Sequence, residues 1–518
     1  MNSKEQGSRT SNSPVQEFYN GQSVLVTGAT GFVGKIVVEK LLRSCTGIAQ
    51  IFLLIREKKG QGIDERMASL LDNPVFDKVR HVEGSDGVKL LDKLVAVRGD
   101  MGEPGLGLTP EDRQLLCGQA TTVFHAAASV RFDEDLETAV KNNVWSTEEM
   151  MRLVKDMSNL KAFVYTSTAY SNCIFSEIQE IVYNYRTELS SVYPKPLSLN
   201  TNIPISNEFL KRWPNTYTLS KALAEIVVED NCKEMSAAIL RPSIVIGAWE
   251  DPLPGWLDSL AGPAMFIAGN LLGLLHLVHI ERGVLSDTVP VDCVASAAIA
   301  AAWEVSSVRE RGMPRVYNLV SGNANPIEWD CFLLLVMDTI RHMPSINARW
   351  YTFSLVCHSR VTYTLLDIVM QMVPSLLMDI PGLLLKGQHR HLDRYTKIKS
   401  MLSKVGWFGL RQWKFEDGNV IRLLNKMTSN DRQTFNFDLR EIEWKSLVQN
   451  YVLGVRRYLL KEADETIPQS RKRMYRLFLL HYSLTAVIAI IIAIPVLKIF
   501  WKTIVHRLIY LSYSVKLK

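Results

Sequence analysis

Thr27-Gly-Ala-Thr-Gly-Phe-Val-Gly34 stands between an apolar, β-branched run, Ser23 to Thr27, and a helical run, Phe32 to Leu42. That setting gives a glycine motif its meaning: it joins a strand to the helix that follows. Gly28 permits the tight turn, Gly31 lets a phosphate approach the backbone, and Gly34 lets the helix pack closely on the sheet. The amides of the helix's first turn then face an anion with the positive end of the helix dipole behind them. Thr27, Gly28, Thr30, Gly31, Phe32 and Gly34 therefore form an expected cradle for a dinucleotide pyrophosphate.

Working outward, short β-branched runs alternate with helical patterns, which is the signature of βαβ units. Strands are expected at Ser23 to Thr27, Ala49 to Ile55, Leu94 to Val97, Thr122 to His125, Ala162 to Thr166, Ala238 to Leu240 and Val316 to Leu319. Several are almost wholly apolar, as strands covered on both faces must be. The expected fold class is α/β, a Rossmann-type doubly wound parallel sheet, followed by a mainly helical second domain. In that domain Tyr363 to Met378 and Trp444 to Leu460 are helical, the first run carrying apolar residues that face either the domain core, the simpler reading, or a bilayer.

With 518 residues the chain has room for two folded units and appendages. Its seven cysteines, among them Cys173, are scattered with no C-x-x-C, which argues against a disulfide framework and against a thiolate metal site; no metal is expected. The net charge of +6 is dispersed and no zinc-finger or basic-helix motif occurs, so a nucleic-acid partner is not expected. Residues 1–18, rich in Ser, Asn and Gln, read as a disordered leader. Leu477 to Leu497 has no Asp, Glu, Lys or Arg over a length that spans a bilayer. Arg471, Lys472, Arg473 and Arg476 precede it, and Lys498, Lys502, Arg507, Lys516 and Lys518 follow. A single-pass tail anchor is expected, with the folded domains facing the cytosol, in an endoplasmic reticulum or peroxisomal membrane; a hairpin returning to the cytosol is the alternative topology. The boundaries implied are 19–325 for the parallel-sheet domain with its insertions, 326–465 for the helical domain, and 466–518 for the basic flank and membrane tail, with the span at about 477–497.

Cofactor choice is written after the second strand, where an acidic residue would bond the ribose of NAD. Here Ile55 is followed by Arg56, with Glu57 and Lys58 beyond, and a guanidinium fork suits a 2′-phosphate, so NADPH is expected. Asp100, after the third strand, is placed either to face the adenine or to close a turn. Further along, Tyr217-Thr-Leu-Ser-Lys221 puts a phenol and an ammonium on one helix face. A neighbouring cation would lower the phenol pKa and suit it to protonating an alkoxide. The fifth strand ends in Tyr165-Thr-Ser-Thr-Ala-Tyr170, where Ser167 and Thr168 are both candidates to bond a substrate carbonyl oxygen. Asp292, before an Ala-rich run, is most simply a helix N-cap.

TGATGFVGK (Thr27 to Lys35), FHAAASVRF (Phe124 to Phe132), VYTSTAY (Val164 to Tyr170), NTYTLSKALAE (Asn215 to Glu225) and LRPSIV (Leu240 to Val245) resemble, in this order, the signatures of alcohol-forming fatty acyl-CoA reductases, a group of extended short-chain dehydrogenase/reductases. Thr434-Phe-Asn-Phe-Asp-Leu-Arg440, Trp444 and Asn450 to Tyr458 resemble that family's carboxyl-terminal domain. The resemblance implies Tyr217, Lys221 and Thr168 as the catalytic set, with Ser167 beside them. It also implies His125, Ala126 and Ala127 lining the cofactor cleft, Asn143 holding the active-site helix, Pro242, Ser243 and Ile244 at the nicotinamide end, and Lys221 on the nicotinamide ribose. It further implies a fatty acyl-CoA substrate reduced twice, through an aldehyde, with two NADPH consumed and CoA released. Cys173 is not expected to act as a nucleophile, because no positioned base accompanies it. Pro254 to Leu277 is the expected lining for an acyl chain, and Lys386, Arg390, Arg394, Lys397 and Lys399 offer charge to CoA phosphates or anionic lipid. The lipid bilayer is the second expected partner, and a homo-oligomer stays open. The alternatives are a membrane-bound short-chain dehydrogenase of a sterol or other hydrophobic alcohol, and a catalytically silent NADP-binding scaffold.

Overall fold

The computed structural model describes residues 13–58, 60–81, 87–185, 211–307, 312–386 and 390–516. Seven strands, Ser23–Thr27 (β1), Gln50–Ile55 (β2), Leu94–Arg98 (β3), Thr122–His125 (β4), Ala162–Thr166 (β5), Ala237–Pro242 (β6) and Arg315–Leu319 (β7), fall where the β-branched runs predict them. They form one parallel sheet in the order β7-β6-β5-β4-β1-β2-β3. The order reverses between β1 and β4, whose last residues, Thr27 and His125, lie side by side. A crevice at such a reversal is where doubly wound sheets bind ligands.

Alternate residues of the strands feed two apolar layers, as the pleat requires. Val24, Val26, Ile51 and Leu53 face a layer containing the helices Phe32–Ser44 (α1) and Val291–Ser307, whereas Leu25, Phe52 and Leu54 face one containing Ser146–Lys155 (α2) and Thr216–Asn231 (α3). The helix Val291–Ser307 (α4) packs closely on α1, and its Ala297, Ala298, Ala300, Ala301 and Ala302 are all buried.

The helical region comprises Arg360–Asp367 (α5), Val373–Lys386 (α6), Arg390–Gly409 (α7), Trp444–Gly454 (α8) and other short helices, and ends in Ile467–Lys516 (α9). It is not detached from the sheet. Leu447, Val448 and Val452 of α8 belong to the same apolar layer as β1, and Lys414–Phe415 pairs in parallel with Glu177–Ile178. Helix α9 is long and apolar enough to cross a membrane, and its apolar stretch lies on the outside of the fold, with Ile490, Ile491 and Leu497 exposed.

Three expectations are corrected. The disordered leader was drawn to residue 18, but Pro14–Tyr19 is a helix capped by Ser13, with Val15 and Tyr19 fully buried and the Tyr19 hydroxyl donating to the Ile299 carbonyl at 2.9 Å. Two apolar residues at helical spacing suffice to dock it on α4; residues 1–12 lie outside the described residues. Asp292 is not an N-cap. It sits in the first turn of α4, and its carboxylate accepts the amides of Trp249, Glu250 and Asp251 at 2.9–3.0 Å, holding that loop instead. The apolar run from Tyr363 to Met378 does not face the core, where Asp367 is buried instead; Leu365 and Val369 are exposed. Of the basic group in this region, the side chains of Lys386, Arg390, Arg394 and Lys397 lie outside the described residues, while Lys399 pairs with Asp367.

Candidate active site

The glycine stretch forms the turn its spacing predicts. Gly28 has φ +71°, and a Cβ there would lie 2.7 Å from the Ala127 amide nitrogen; one on Gly34 would lie 2.2 Å from the Gly28 carbonyl. Any side chain at Gly28 or Gly34 would therefore displace backbone. Helix α1 starts after Gly31 with no side-chain cap, so its first-turn amides are available to a pyrophosphate, and the cradle fits a dinucleotide.

Thr27 and His125 close the floor of the crevice. The Thr27 hydroxyl accepts the Ala127 amide at 3.2 Å and meets His125 Nδ1 at 2.8 Å, so its single proton goes to Nδ1. Thr147 donates to the Asn143 carbonyl at 2.6 Å and meets His125 Nε2 at 3.1 Å. The ring proton thus sits on Nε2. Burial, with the Lys221 charge adding to it, pushes the His125 pKa down to about 3, so the ring is a neutral strut. Asn143 lies in a π-turn, Lys141–Trp145, just before α2. It donates to the Ser129 carbonyl at 3.0 Å and the Ser220 hydroxyl at 2.9 Å, tying α3 to the loop after β4.

Helix α3 is capped by Asn215, whose side chain accepts the Thr218 amide at 2.9 Å, and this places Tyr217 in the first turn at the mouth of the crevice. Its ring stacks on Phe132 with centroids 5.6 Å apart. Lys221, one turn on, is buried and donates to the Thr166 carbonyl at 2.7 Å and the Tyr165 hydroxyl at 3.2 Å. These contacts alter the expected electrostatics. Burial pushes the Tyr217 pKa up to about 12, and the opposing influence is a hydrogen bond with Thr168, not the ammonium. The phenol is held as a proton donor, ready in its neutral form.

Burial lowers the Lys221 pKa from its ordinary 10.5 to about 7, with Glu225 opposing the shift. Between these values the unfolded chain holds a proton that the folded chain lacks, so stability rises with pH across this window, and the cost of burial is fully present below pH 7. Lys221→Met is therefore expected to melt above the parent chain at pH 6, with the gap closing towards pH 10. Thermal unfolding at the two pH values checks this.

Of the two hydroxyl candidates, Thr168 faces the phenol, within 3.5 Å of the Pro242 carbonyl. Ser167 does not: its hydroxyl donates to Glu225, which also accepts from Ser171 and pairs with the fully buried Arg241. Next to these, the Ser243 amide bonds the Leu319 carbonyl at 3.0 Å and the Ile244 amide bonds the Asp287 carbonyl at 3.2 Å, fixing the Pro242–Ile244 segment behind Thr168. Cys173 is buried and its thiol is pushed up to about 12, far from thiolate character at neutral pH.

At the other end of the cradle Arg56 is half-exposed and lies 3.8 Å from Asp100. Asp100 accepts the Gly102 amide at 2.9 Å, so its carboxylate closes a turn while facing Arg56. Glu57 pairs with Arg98 at 3.3 Å, which removes the acidic residue from the site. Sequence reasoning missed Arg66: it donates to Thr30 Oγ1 at 3.0 Å and to the Arg56 carbonyl, and the neighbouring Arg56 charge, after burial, lowers its pKa. Two guanidiniums that repel one another beside a phosphate cradle suit an extra anion. No motif marks Arg66, since a short helix, Ile63–Leu71, brings it back to the loop.

Two cavities share Trp407 in their linings. One, of about 470 Å³, is lined by Lys211, Arg212 and Arg411 with Trp213, Trp407 and Trp413. The other, of about 500 Å³, is lined largely by apolar groups, among them Phe266, Leu277, Phe332 and Leu402, and again by Trp407. Phe408, next to Trp407, lies 5.9 Å from Phe132, which stacks on Tyr217.

Family models described as male sterility protein match residues 26–298, as a NAD-binding domain, and residues 370–462. Fatty acyl-CoA reductase 1 of Homo sapiens is 33% identical over 481 residues, 92% of each chain. Fatty acyl-CoA reductase 2 of Mus musculus is 33% identical over 497 residues, 96% of this chain and 94% of its own. Among solved structures, the reductase domain of a nonribosomal peptide synthetase from Mycobacterium tuberculosis matches with a TM-score of 0.56 at 18% identity, over 87% of this chain and 93% of that one. The terminal reductase domain of the myxalamid pathway matches at 0.53 and 20% identity, over 84% and 91%. With a nicotinamide-dinucleotide cradle, a buried Tyr–Lys site and relatives matching nearly end to end, the chain is an oxidoreductase and belongs to the fatty acyl-CoA reductase family.

Proposed function

We propose that the chain reduces a long-chain fatty acyl-CoA to the primary alcohol through an aldehyde, releasing CoA and using NADPH, on the cytosolic side of an endoplasmic reticulum or peroxisomal membrane crossed by α9. The observation that carries this reading is the pair of cavities sharing Trp407. A substrate with a phosphorylated, aromatic head and an aliphatic tail matches a cationic, Trp-lined chamber and an apolar one that share Trp407, with Phe408 and Phe132 leading from that tryptophan towards Tyr217.

NADPH, when bound, supplies the hydride for both reductions. Thr168 and Tyr217 donate hydrogen bonds to the oxygen on which negative charge develops. Collapse of the resulting tetrahedral oxyanion restores the carbonyl and expels the CoA thiolate, giving aldehyde. In the second round Tyr217 transfers its proton to the alkoxide, and Lys221, held by Thr166 and Tyr165, would bind the nicotinamide ribose. His125 stays neutral and takes no part in proton transfer.

Arg56 and Arg66 hold the 2′-phosphate in this reading. Replacing either by Ala is expected to raise KM for NADPH about 10- to 100-fold, the loss of a charged hydrogen bond, while KM for NADH changes little. Initial rates with the two cofactors check it. The activity itself is tested by incubating purified full chain with NADPH and acyl-CoAs of several lengths. Two NADPH oxidised and one CoA thiol released per alcohol are expected; oxidation that yields neither aldehyde nor alcohol would overturn the assignment.

A further inference from the structure

Helices α5 and α6 turn their carboxylates, Asp367 and Asp379, inward and carry aliphatic groups outside. Asp367 is 1% exposed, and its carboxylate accepts from Gln371 at 2.7 Å, the Tyr395 hydroxyl at 2.7 Å and Lys399 at 2.5 Å, the last two on α7. Asp379, equally buried, accepts the Leu392 amide of α7 at 2.9 Å. On the outer side Val361, Leu365 and Val369 are 59–69% exposed, and Leu376, Leu377 and Ile380 continue the stripe at 43–58%. A helix pair facing water has the opposite polarity. An aliphatic face of this extent marks an interaction surface.

The fold indicates what covers it. At the foot of α9, Phe478, His481 and Tyr482 pack on Tyr351. Phe353, two residues on, stacks on His276 at 4.3 Å. Leu277–His279 then pairs with Leu355–Cys357, and His279 stacks at 5.4 Å on Tyr363 of α5. Leu274 and Leu355 add exposed aliphatic groups along this wall. The stripe is therefore continuous with the base of the one described helix that is long and apolar enough to cross a bilayer.

We propose that α5 and α6 lie in the bilayer surface, with Val361, Leu365, Val369, Leu376, Leu377 and Ile380 in the acyl layer of the membrane that α9 enters. The geometry is that of an in-plane helix, with ionic groups turned into the protein instead of into water. Docking sets the apolar cavity, whose wall includes Tyr363 and Thr364 of α5, at the level of lipid chains, so that an acyl tail reaches it without crossing water. That consequence rests on the acyl-CoA reading; the docking does not.

The test uses full chain carrying Cys331→Ser, which removes the exposed thiol, reconstituted in phosphatidylcholine bilayers and spin-labelled at Val369→Cys, Ile490→Cys or Glu111→Cys. Paramagnetic accessibility to oxygen, which concentrates in lipid, is compared with that to a water-soluble nickel chelate. A severalfold higher oxygen-to-nickel ratio at 369 and 490 than at 111 is expected. A high ratio at 490 with 369 matching 111 would overturn docking while leaving the span, and matching ratios at all three would overturn both. Spin–spin broadening at 369 without oxygen preference would instead assign the face to a second copy of the chain. None of these outcomes depends on turnover, so failure of the acyl-CoA reading is seen separately.

Discussion

Tyr217→Phe is expected to lower the rate of alcohol formation by about 10²- to 10⁴-fold, the usual value of a positioned general acid. The substitution removes one oxygen and leaves the ring, which still stacks on Phe132, so the fold and the cofactor cradle should be unaffected. The loss follows from the state of the phenol. With its pKa pushed up to about 12, Tyr217 is fully protonated at neutral pH and can both bond the developing oxyanion and give up its proton. Aldehyde supplied directly should show the full defect, because the alkoxide must be protonated in that round. Steady-state rates with acyl-CoA and with aldehyde measure it, and a variant retaining a tenth or more of the parent rate on aldehyde would remove Tyr217 from the mechanism.

The second large effect is on stability. Glu225 and Arg241 are paired with side chains 1% and 0% exposed, and Glu225 also accepts from Ser167 and Ser171. Glu225→Ala leaves the guanidinium buried without its counter-charge, and the expected loss is about 3–5 kcal/mol. Ser167→Ala deletes one neutral donor to the same carboxylate and should cost about 1–3 kcal/mol. Replacing Glu225 and Arg241 together by Met removes both charges and should recover most of the stability lost by Glu225→Ala. Denaturant unfolding of the four chains distinguishes these outcomes; equal destabilisation by the single and double variants would show that packing, not charge, is what the pair supplies.

Local chemistry made the fold legible. Glycines at Gly28, Gly31 and Gly34 have a steric reason that survives any context, and strands buried on both faces need the continuous apolar runs that mark β1 to β7. Tyr217 and Lys221 could be placed on one helix because the spacing is local. What the ammonium touches could not, since Tyr165 and Thr166 come from β5; a face of α3 is visible in sequence, its neighbour is not. The same gap separated Thr168 from Ser167, adjacent hydroxyls on an extended segment that point to opposite sides, one to the phenol and one to Glu225. Arg66 stayed hidden because it returns to the cradle through tertiary structure. Apolar periodicity in α5 and α6 was correctly helical but gave no direction. An amphipathic stripe records that one side is apolar and not whether core or lipid lies against it, and here the buried Asp367 and Asp379 decide the matter.

Hydride transfer twice to the same carbon is the centre of the proposed mechanism, and deuterium counts it. Purified full chain is incubated with a long-chain acyl-CoA and NADPH deuterated at the transferred position of C4, and the alcohol is examined by mass spectrometry. Two deuterium atoms on C1 are expected, with labelled alcohol accumulating about 10²-fold or more slowly in Tyr217→Phe. Alcohol carrying one deuterium, or none, would contradict successive reduction of thioester and aldehyde at this site.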